Sequence, residues 1–382
     1  MSPARKVAFQ VLLLVERGGY ASDLLRARSE GLDARDAGLA SEIVYGCLRL
    51  QGQLDFLIRH FSGRPAAGLD PEVRVSLRMG IHQLRNLDRV PSHAAVAESV
   101  DLVKRARKRS AAGFVNAVLR KVNRSSVSWP DRATGLSQPP WLLERWERQY
   151  GPGVAGQIAQ AFLEPPATWL RIPSGVVPPG IEVEPSAIPG CFRLVAGSPG
   201  DLRIQDIGSQ SIVPLLDLQP GLSLLDVCAA PGNKTAQALE SGVRAVACDL
   251  HHSRLAHLKG LGCGLVMLDG AVSLPFRARF DRILLDVPCS GTGTLGRNPE
   301  IKWRLRPKNL ADLHQLQARL LSNALERLAP GGKLVYSTCS LEPEENEAVL
   351  EEVLGDVPIT KMRRIPGVDA GDGFFAAVIG SA

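Results

Sequence analysis

Two cysteines stand at comparable places in the chain, Cys289 in DVPCSGTG (286–293) and Cys339 in KLVYSTCSLEPEE (333–345). Each follows an apolar run of strand character and each is followed at once by a serine. A thiolate is a strong nucleophile toward electron-poor carbon, so a thiol at a strand end is a candidate for covalent catalysis. Asp286, three residues before Cys289, belongs to the same loop and can reach whatever the thiols attack. The alternative for any one cysteine is a small buried hydrophobe, and Cys47, Cys191, Cys248 and Cys263 take that reading. The seven cysteines are never closer than 15 positions, and the seven histidines make no HExxH, so no metal is expected. An odd, scattered set of thiols without an export signal fits a reducing cytoplasm.

These residues need a scaffold, and from Leu222 the chain supplies strand and helix in alternation. LSLLDV, RAVACD, GLVMLD, FDRILLDV and GKLVYST are five short apolar runs, four of which end at or beside an aspartate. Between the last two, leucines at 310, 313, 316, 320, 321, 325 and 328 form a helical stripe that stops at PGG. Such alternation implies a parallel sheet covered by helices on both faces, with ligands at the carboxyl ends of the strands. The fourth and fifth strands are neighbours in the usual order of this fold, so thiols 50 residues apart converge on one pocket.

The turn after the first strand is DVCAAPGNKT (226–235). It is neither a Walker A loop nor a GxGxxG fingerprint. A tight small-residue turn from Cys228 through Ala229, Ala230, Pro231, Gly232 and Asn233 to Lys234 brings backbone N–H groups close to a ligand. Asp249, 23 positions after Asp226, ends the second strand, where a carboxylate can take two ribose hydroxyls. Asp269 ends the third, near an adenine. A ribose-binding acid without a pyrophosphate loop suits S-adenosylmethionine; the competing reading is that these aspartates only cap helices. A cofactor of this kind gives the cysteines a task. Methylation of cytosine C5 requires a thiolate to add to C6, an acid at the N3 and N4 edge, and a base for the closing elimination. Ser340, Pro343 and the acids at 342, 344 and 345 read as a helix N-terminus after Cys339. Its dipole favours a thiolate and its carboxylates oppose one, so the residues alone do not rank the two thiols.

Up to about residue 125 the text is helical, as in Val96, Val100, Val103 and again in Phe114, Val115, Val118, Leu119, Val122. Between Asp101 and Arg124 eight Lys or Arg stand against one acid, within a chain whose net charge is +6. A solvated face is one reading of this block and a polyanion such as RNA or DNA the other. Serines and prolines at 125–140 mark a linker, WLLERWERQYG a helix, and residues 141 to about 205 a small α+β segment. No run reaches the ~18 apolar residues of a membrane span, and VAFQVLLLV near the start reads as an amphipathic first helix rather than a signal peptide.

The chain resembles bacterial ribosomal small-subunit RNA (cytosine-5) methyltransferases of the Sun and Nop2 type, nearly end to end. SEIVYGCLRL, LRMGIHQL, VPSHAAVAESVDLVK and GFVNAVLRKV look like the NusB-related helical domain of that family; IQDIGSQ, LLDVCAAPGNKT, FDRILLDVPCSGTGTLGRNPEIKW, LAPGGKLVYSTCSLEPEENE and GDGFF follow in its order. The resemblance implies three regions: an all-α NusB-like RNA-binding domain over 1–127, a linker and small α+β RNA-positioning segment over 128–205, and a Rossmann-like class I methyltransferase domain over 206–382. It implies Cys339 as nucleophile, Cys289 in product release, and Asp286 and Lys234 at the base. S-adenosylmethionine would lie among residues 228–234, Asp249, Asp269 and Asp286. The substrate would be small-subunit ribosomal RNA, and a monomer is the default expectation.

The family usually reads APGGKT where this chain has Asn233, and Asn is the next residue after Gly to tolerate a left-handed backbone. RIPSG replaces an expected R-x-N, and the chain is somewhat short. Two rival readings remain: a DNA cytosine-5 methyltransferase attacking through Cys289, which lacks that class's Glu-Asn-Val motif, and a non-catalytic RNA-binding assembly factor, against which stand both cysteines and Asp286.

Overall fold

The structure, a computed structural model, describes residues 2–380 and divides into two compact units. The first comprises Met1–Pro165 together with Leu295–Arg304. Its helices are α1 (Pro3–Glu16), α2 (Ala21–Arg28), α3 (Ala34–Arg49), α4 (Gln51–Ser62), α5 (Pro71–Asn86), α6 (Ser92–Arg105), α7 (Ala112–Lys121), α8 (Arg132–Gly135) and α9 (Pro140–Ala161). Helix α1 starts on Pro3 at a position where a missing N–H costs nothing, and buries Ala4, Val7, Ala8, Val11, Leu12 and Val15 on one stripe. Asp33 caps α3 by accepting from Asp36 N at 2.7 Å. Helix α9 is two helices meeting at a kink, where Gly151 has φ 78 and Pro152 follows. Short helix α8 lies in the stretch read as a linker, capped by Asp131.

The segment 295–304 belongs to this helical unit, although in sequence it lies inside the methyltransferase motif. Its side chains donate to carbonyls at helix ends, where intrahelical partners run out. Lys302 Nζ donates to Arg49 O at 2.9 Å and Trp303 Nε1 to Leu48 O at 2.9 Å, both at the end of α3. Arg304 donates to Val15 O at 2.8 Å, at the end of α1. Glu300 Oε1 accepts from Ala21 N, the first residue of α2, at 2.9 Å. Lys302 is fully buried, and burial with the neighbouring Arg49 charge pushes its ammonium down to about 7.

The second unit comprises Pro166–Thr294 and Leu305–Ala382. It begins with a four-stranded antiparallel sheet of β1 (Trp169–Arg171), β2 (Glu182–Pro185), β3 (Cys191–Ala196) and β4 (Arg203–Ile204), in the order β2-β3-β1-β4. The larger sheet follows: α10 (Ile207–Gln210), β5 (Ser223–Asp226), α11 (Asn233–Leu239), β6 (Arg244–Asp249), α12 (His252–Leu255), β7 (Gly264–Met267) and β8 (Phe280–Asp286). After the excursion that contains α13 (Ile301–Arg304) come α14 (Pro307–Leu325), β9 (Leu328–Thr338), α15 (Glu347–Leu354), β10 (Thr360–Arg364) and β11 (Phe374–Gly380). The seven strands run in the order β10-β11-β9-β8-β5-β6-β7. β5 to β9 are parallel, and β11 and β10 are added antiparallel at one edge.

Successive residues of the central strands point to opposite faces, and both faces are apolar. Leu225, Ile283, Leu285, Leu334 and Tyr336 meet Leu320 and Leu321 of α14 and Val349 and Leu350 of α15. Leu224, Leu284 and Val335 meet Ile212, Leu216 and Ala238 on the other side. The chain leaves β5 toward β6 and β7 and returns on the other side of β5 as β8, so the topological switch lies between β5 and β8. A crevice at the carboxyl ends of those two strands is where such a fold binds ligands.

Candidate functional site

Asp226 ends β5 and Asp286 ends β8, so both carboxylates stand at the switch. Lys234, in the first turn of α11, reaches Asp286 Oδ2 with its Nζ at 2.7 Å and lies 5.1 Å from the centre of the Phe374 ring. Ser337 of β9 is the register partner of Asp286 and donates to its Oδ1 at 2.7 Å. Burial works against the Lys234 charge, but Asp286, helped by Cys339, outweighs it and holds the ammonium above its ordinary range. Lys234 is therefore a charged donor at neutral pH.

The cofactor-type loop lies beside this pair. A cavity of about 90 Å³ is lined by Ser209, Asp226, Cys228, Ala229, Ala230, Pro231, Asn233, Lys234 and Asp286. Gly232 has φ 105, and a Cβ there would stand 2.7 Å from Leu258 Cγ, so both backbone and space demand glycine. Asn233, expected in left-handed backbone, is instead the first helical residue of α11; Gly232 alone makes the reversal, and a side chain at 233 is free of that strain. Asp249 touches the loop, its Oδ2 accepting from Ala230 N at 3.3 Å and its Oδ1 from His251 N at 3.0 Å. Asp269 is exposed and accepts from Ala271 N at 2.9 Å, outside the cavity lining. The Cys228 thiol is pushed well up, first by burial and then by Asp226.

The two cysteine loops converge. Cys289 Sγ and Cys339 Sγ are 3.2 Å apart, and both residues are partly exposed. The adjoining loops are joined by a backbone bond from Gly293 N to Cys339 O at 2.9 Å and by Leu341 N donating to the Thr292 hydroxyl Oγ1 at 2.9 Å. The Cys289 thiol is held well above its ordinary range, first by its hydrogen bond with Cys339, then by burial and by the charges of Cys339 and Glu345. Two thiols in contact do not ionise together, and this environment disfavours a thiolate on Cys289. The expected helix N-terminus after Cys339 is not formed: residues 343–345 make a single 3₁₀ turn and α15 starts only at Glu347. A helix dipole accordingly plays no part at this thiol.

Four further members of the site lie inside the family motifs without a residue type or spacing that marks them. Asp226 is 1% exposed; its Oδ2 accepts from Thr235 Oγ1 at 2.6 Å, and its Oδ1 finds no partner among the described residues. Ser209 and Phe374 come from remote parts of the chain. Glu345, one of the acids read from sequence as part of a helix N-terminus, is fully buried between the cysteine loops. Among the described residues no group of three or more His, Cys, Asp or Glu is placed to hold a metal, and no helix is long and apolar enough to cross a membrane.

In the helical unit the basic block surrounds the α6–α7 turn. Lys104, Lys108 and Arg124 pair with Asp101, Asp70 and Asp88. Arg105, Arg107, Arg109, Arg120 and Lys121 are exposed and make no ion pair among the described residues. A face that carries this much unpaired positive charge is suited to a polyanion.

Residues 213–374 match the family described as 16S rRNA methyltransferase RsmB/F, and residues 2–124 match the NusB family. Ribosomal RNA small subunit methyltransferase B of Klebsiella pneumoniae (strain 342) is 32% identical over 420 residues, spanning 98% of this chain and 97% of the relative. The protein of that name from Salmonella arizonae is 33% identical, spanning 95% of each. A solved methyltransferase homolog protein from Pyrococcus horikoshii is 27% identical with a TM-score of 0.56, covering 65% of this chain and 97% of its own. With relatives of this identity along almost its whole length, the chain belongs to the 16S rRNA methyltransferase RsmB/F family and is an rRNA methyltransferase with an N-terminal NusB-family region.

Proposed function

We propose that this methyltransferase acts on C5 of a cytosine in small-subunit ribosomal RNA, with S-adenosylmethionine as donor and Cys339 as covalent nucleophile. The observation that carries the reading is the 3.2 Å contact of Cys289 and Cys339 at the ends of neighbouring strands, beside the Lys234–Asp286 pair. The donor fits the residues at the switch point. The unpartnered Asp226 oxygen and the Gly232 turn favour a ligand with hydrogen-bond donors brought close to backbone. The cavity is smaller than the ~300–1,000 Å³ usual for small-molecule sites, so most of the cofactor would lie over the strand ends, toward Asp249 and Asp269. When bound, S-adenosylmethionine supplies the electrophilic methyl that C5 takes once the ring is electron-rich.

Apart from the base that takes the C5 proton, the remaining tasks fall to residues of the chain. Cys339 Sγ adds to C6, and Lys234 donates to the pyrimidine edge that gains electron density. Asp286, fixed by Lys234 and Ser337, keeps lone pairs to accept from the exocyclic amine. In the closing elimination the C5 proton leaves to a base, its electron pair forms the C5–C6 double bond, and the S–C6 bond breaks. The S–H of Cys289 donates to the departing Cys339 sulfur. The unpaired arginines and Lys121 of the helical unit hold the RNA backbone.

Cys339→Ala is expected to abolish methylation while cofactor binding persists, and Cys289→Ala to accumulate a covalent RNA adduct that survives denaturing electrophoresis. An adduct that forms with Cys339→Ala and disappears with Cys289→Ala reverses the roles. Bisulfite sequencing of ribosomal RNA from cells with and without the gene reads the target base, and the absence of any differing cytosine would overturn the C5 assignment.

A further inference from the structure

Both cysteines are followed by a serine, and one carboxylate holds both serines. Glu345 Oε1 accepts from Ser290 N at 2.7 Å and from Gln317 Nε2 at 3.0 Å. Its Oε2 accepts from Ser290 Oγ and Ser340 Oγ, which also contact each other at 3.1 Å. The backbone of Glu345 is fixed in turn, since its carbonyl accepts from the buried Tyr336 hydroxyl at 2.7 Å. Gln317 on α14 ties the same cluster to the DVPC loop by donating to Pro288 O at 2.8 Å. We propose that Glu345 is a positioning residue for the reaction: its carboxylate sets the Cys289–Cys339 separation through Ser290 and Ser340. The inference rests on the covalent reading above.

The physical case is that a fully buried charge is costly unless donors compensate it, and an apolar residue would fill the same space at less cost. Four donors converge on this carboxylate, and three belong to the residues directly after the thiols. A single anchor shared by two loops fixes their register more narrowly than two independent contacts. The same negative charge lies close enough to Cys289 to favour its protonated form.

The test is Glu345→Gln in the full chain, which keeps size and one acceptor oxygen and removes the charge. Three measurements are made: site-resolved alkylation of Cys289 against pH by peptide mass spectrometry, the rate of Cys289–Cys339 disulfide closure with diamide, and steady-state methylation. Loss of the charge is expected to lower the Cys289 titration, read as severalfold faster alkylation at pH 8. Disulfide closure and kcat should each fall by about tenfold or more, with KM for RNA and cofactor within about twofold, as when an orienting hydrogen bond is removed. Ser290→Ala with Ser340→Ala leaves Glu345 in place and should slow closure and turnover in the same way. Thiol behaviour identical to the unaltered protein in both variants overturns the proposal, and so does a loss of kcat matched by equal losses of cofactor affinity and thermal midpoint. Because the thiol measurements need no turnover, expected thiol shifts in a protein that leaves cytosine C5 unmodified would uphold the positioning role and sink the reaction reading instead.

Discussion

Asp226→Asn isolates one buried charge. The carboxyl ends β5 and is 1% exposed; burial pushes it up to about 7, Thr235 opposing and Asp286 adding to the rise. Its ordinary value in an unfolded chain is about 3.9, so folding takes up a proton between those limits. With the folded value the higher one, the native state binds more protons across the window, and stability falls as pH rises. The advantage is complete below about 4 and gone above about 7. At roughly 1.4 kcal/mol per pH unit, the fall is about 4 kcal/mol over the window and about 2 kcal/mol between pH 5.5 and 7. Asparagine keeps an oxygen for Thr235 and does not titrate. Urea unfolding at pH 5.5, 7 and 8.5, with hydrogen exchange of the β5 and β8 amides to read this unit separately, should show the native protein losing about 2 kcal/mol more than the variant, most of it below pH 7. Parallel pH profiles would refute the assignment and make Asp226 an ordinary carboxylate.

Lys302 should show the opposite sign in the helical unit. Its folded value near 7 lies below the unfolded value, so stability rises with pH from about 7 toward 10, and Lys302→Met should remove that slope of up to ~1.4 kcal/mol per unit in exchange of the α3 amides. Gly232→Ala meets both a left-handed backbone and the Leu258 side chain, and should cost about 1–3 kcal/mol of stability, read as a lower thermal midpoint, together with cofactor affinity by calorimetry. Neutralising Lys104, Arg105, Arg107, Lys108 and Arg109 together should weaken RNA binding and flatten the slope of log K against log salt by about 0.7 for each phosphate that is no longer neutralised. An unchanged slope would detach the basic block from RNA.

The pair of thiol loops shows how a buried polar cluster differs from a buried apolar one. Replacing Leu285 or Tyr336 by a smaller residue would leave a cavity in the core. Replacing Glu345 would instead leave up to four donors without an acceptor, and the same carboxylate holds the serines that follow Cys289 and Cys339, the sulfurs proposed to react. Stability and chemistry are therefore linked at this point of the fold.

What the sequence by itself determined is local and periodic. Apolar runs ending in aspartate announced the strands of a parallel sheet, the leucine stripe over 310–325 announced α14, and the order of the runs made the strands that lead to Cys289 and Cys339 neighbours. Lys234 and Asp286 could be named because motif and strand end coincide there. Only the tertiary structure decided the rest, because it depends on contacts between residues far apart in the chain. Gly232 rather than Asn233 carries the reversal because Leu258 closes the space above it. Residues 295–304 join the helices because Lys302, Trp303 and Arg304 donate to carbonyls at the ends of α1 and α3. Glu345 reads in sequence as one acid of a helix N-terminus, and only the fold brings Ser290, Ser340 and Gln317 around it. The environment of the thiols has the same origin: in sequence both follow a strand and precede a serine, and in the fold the hydrogen bond with Cys339, burial and the nearby charges together hold the Cys289 thiol above its ordinary range.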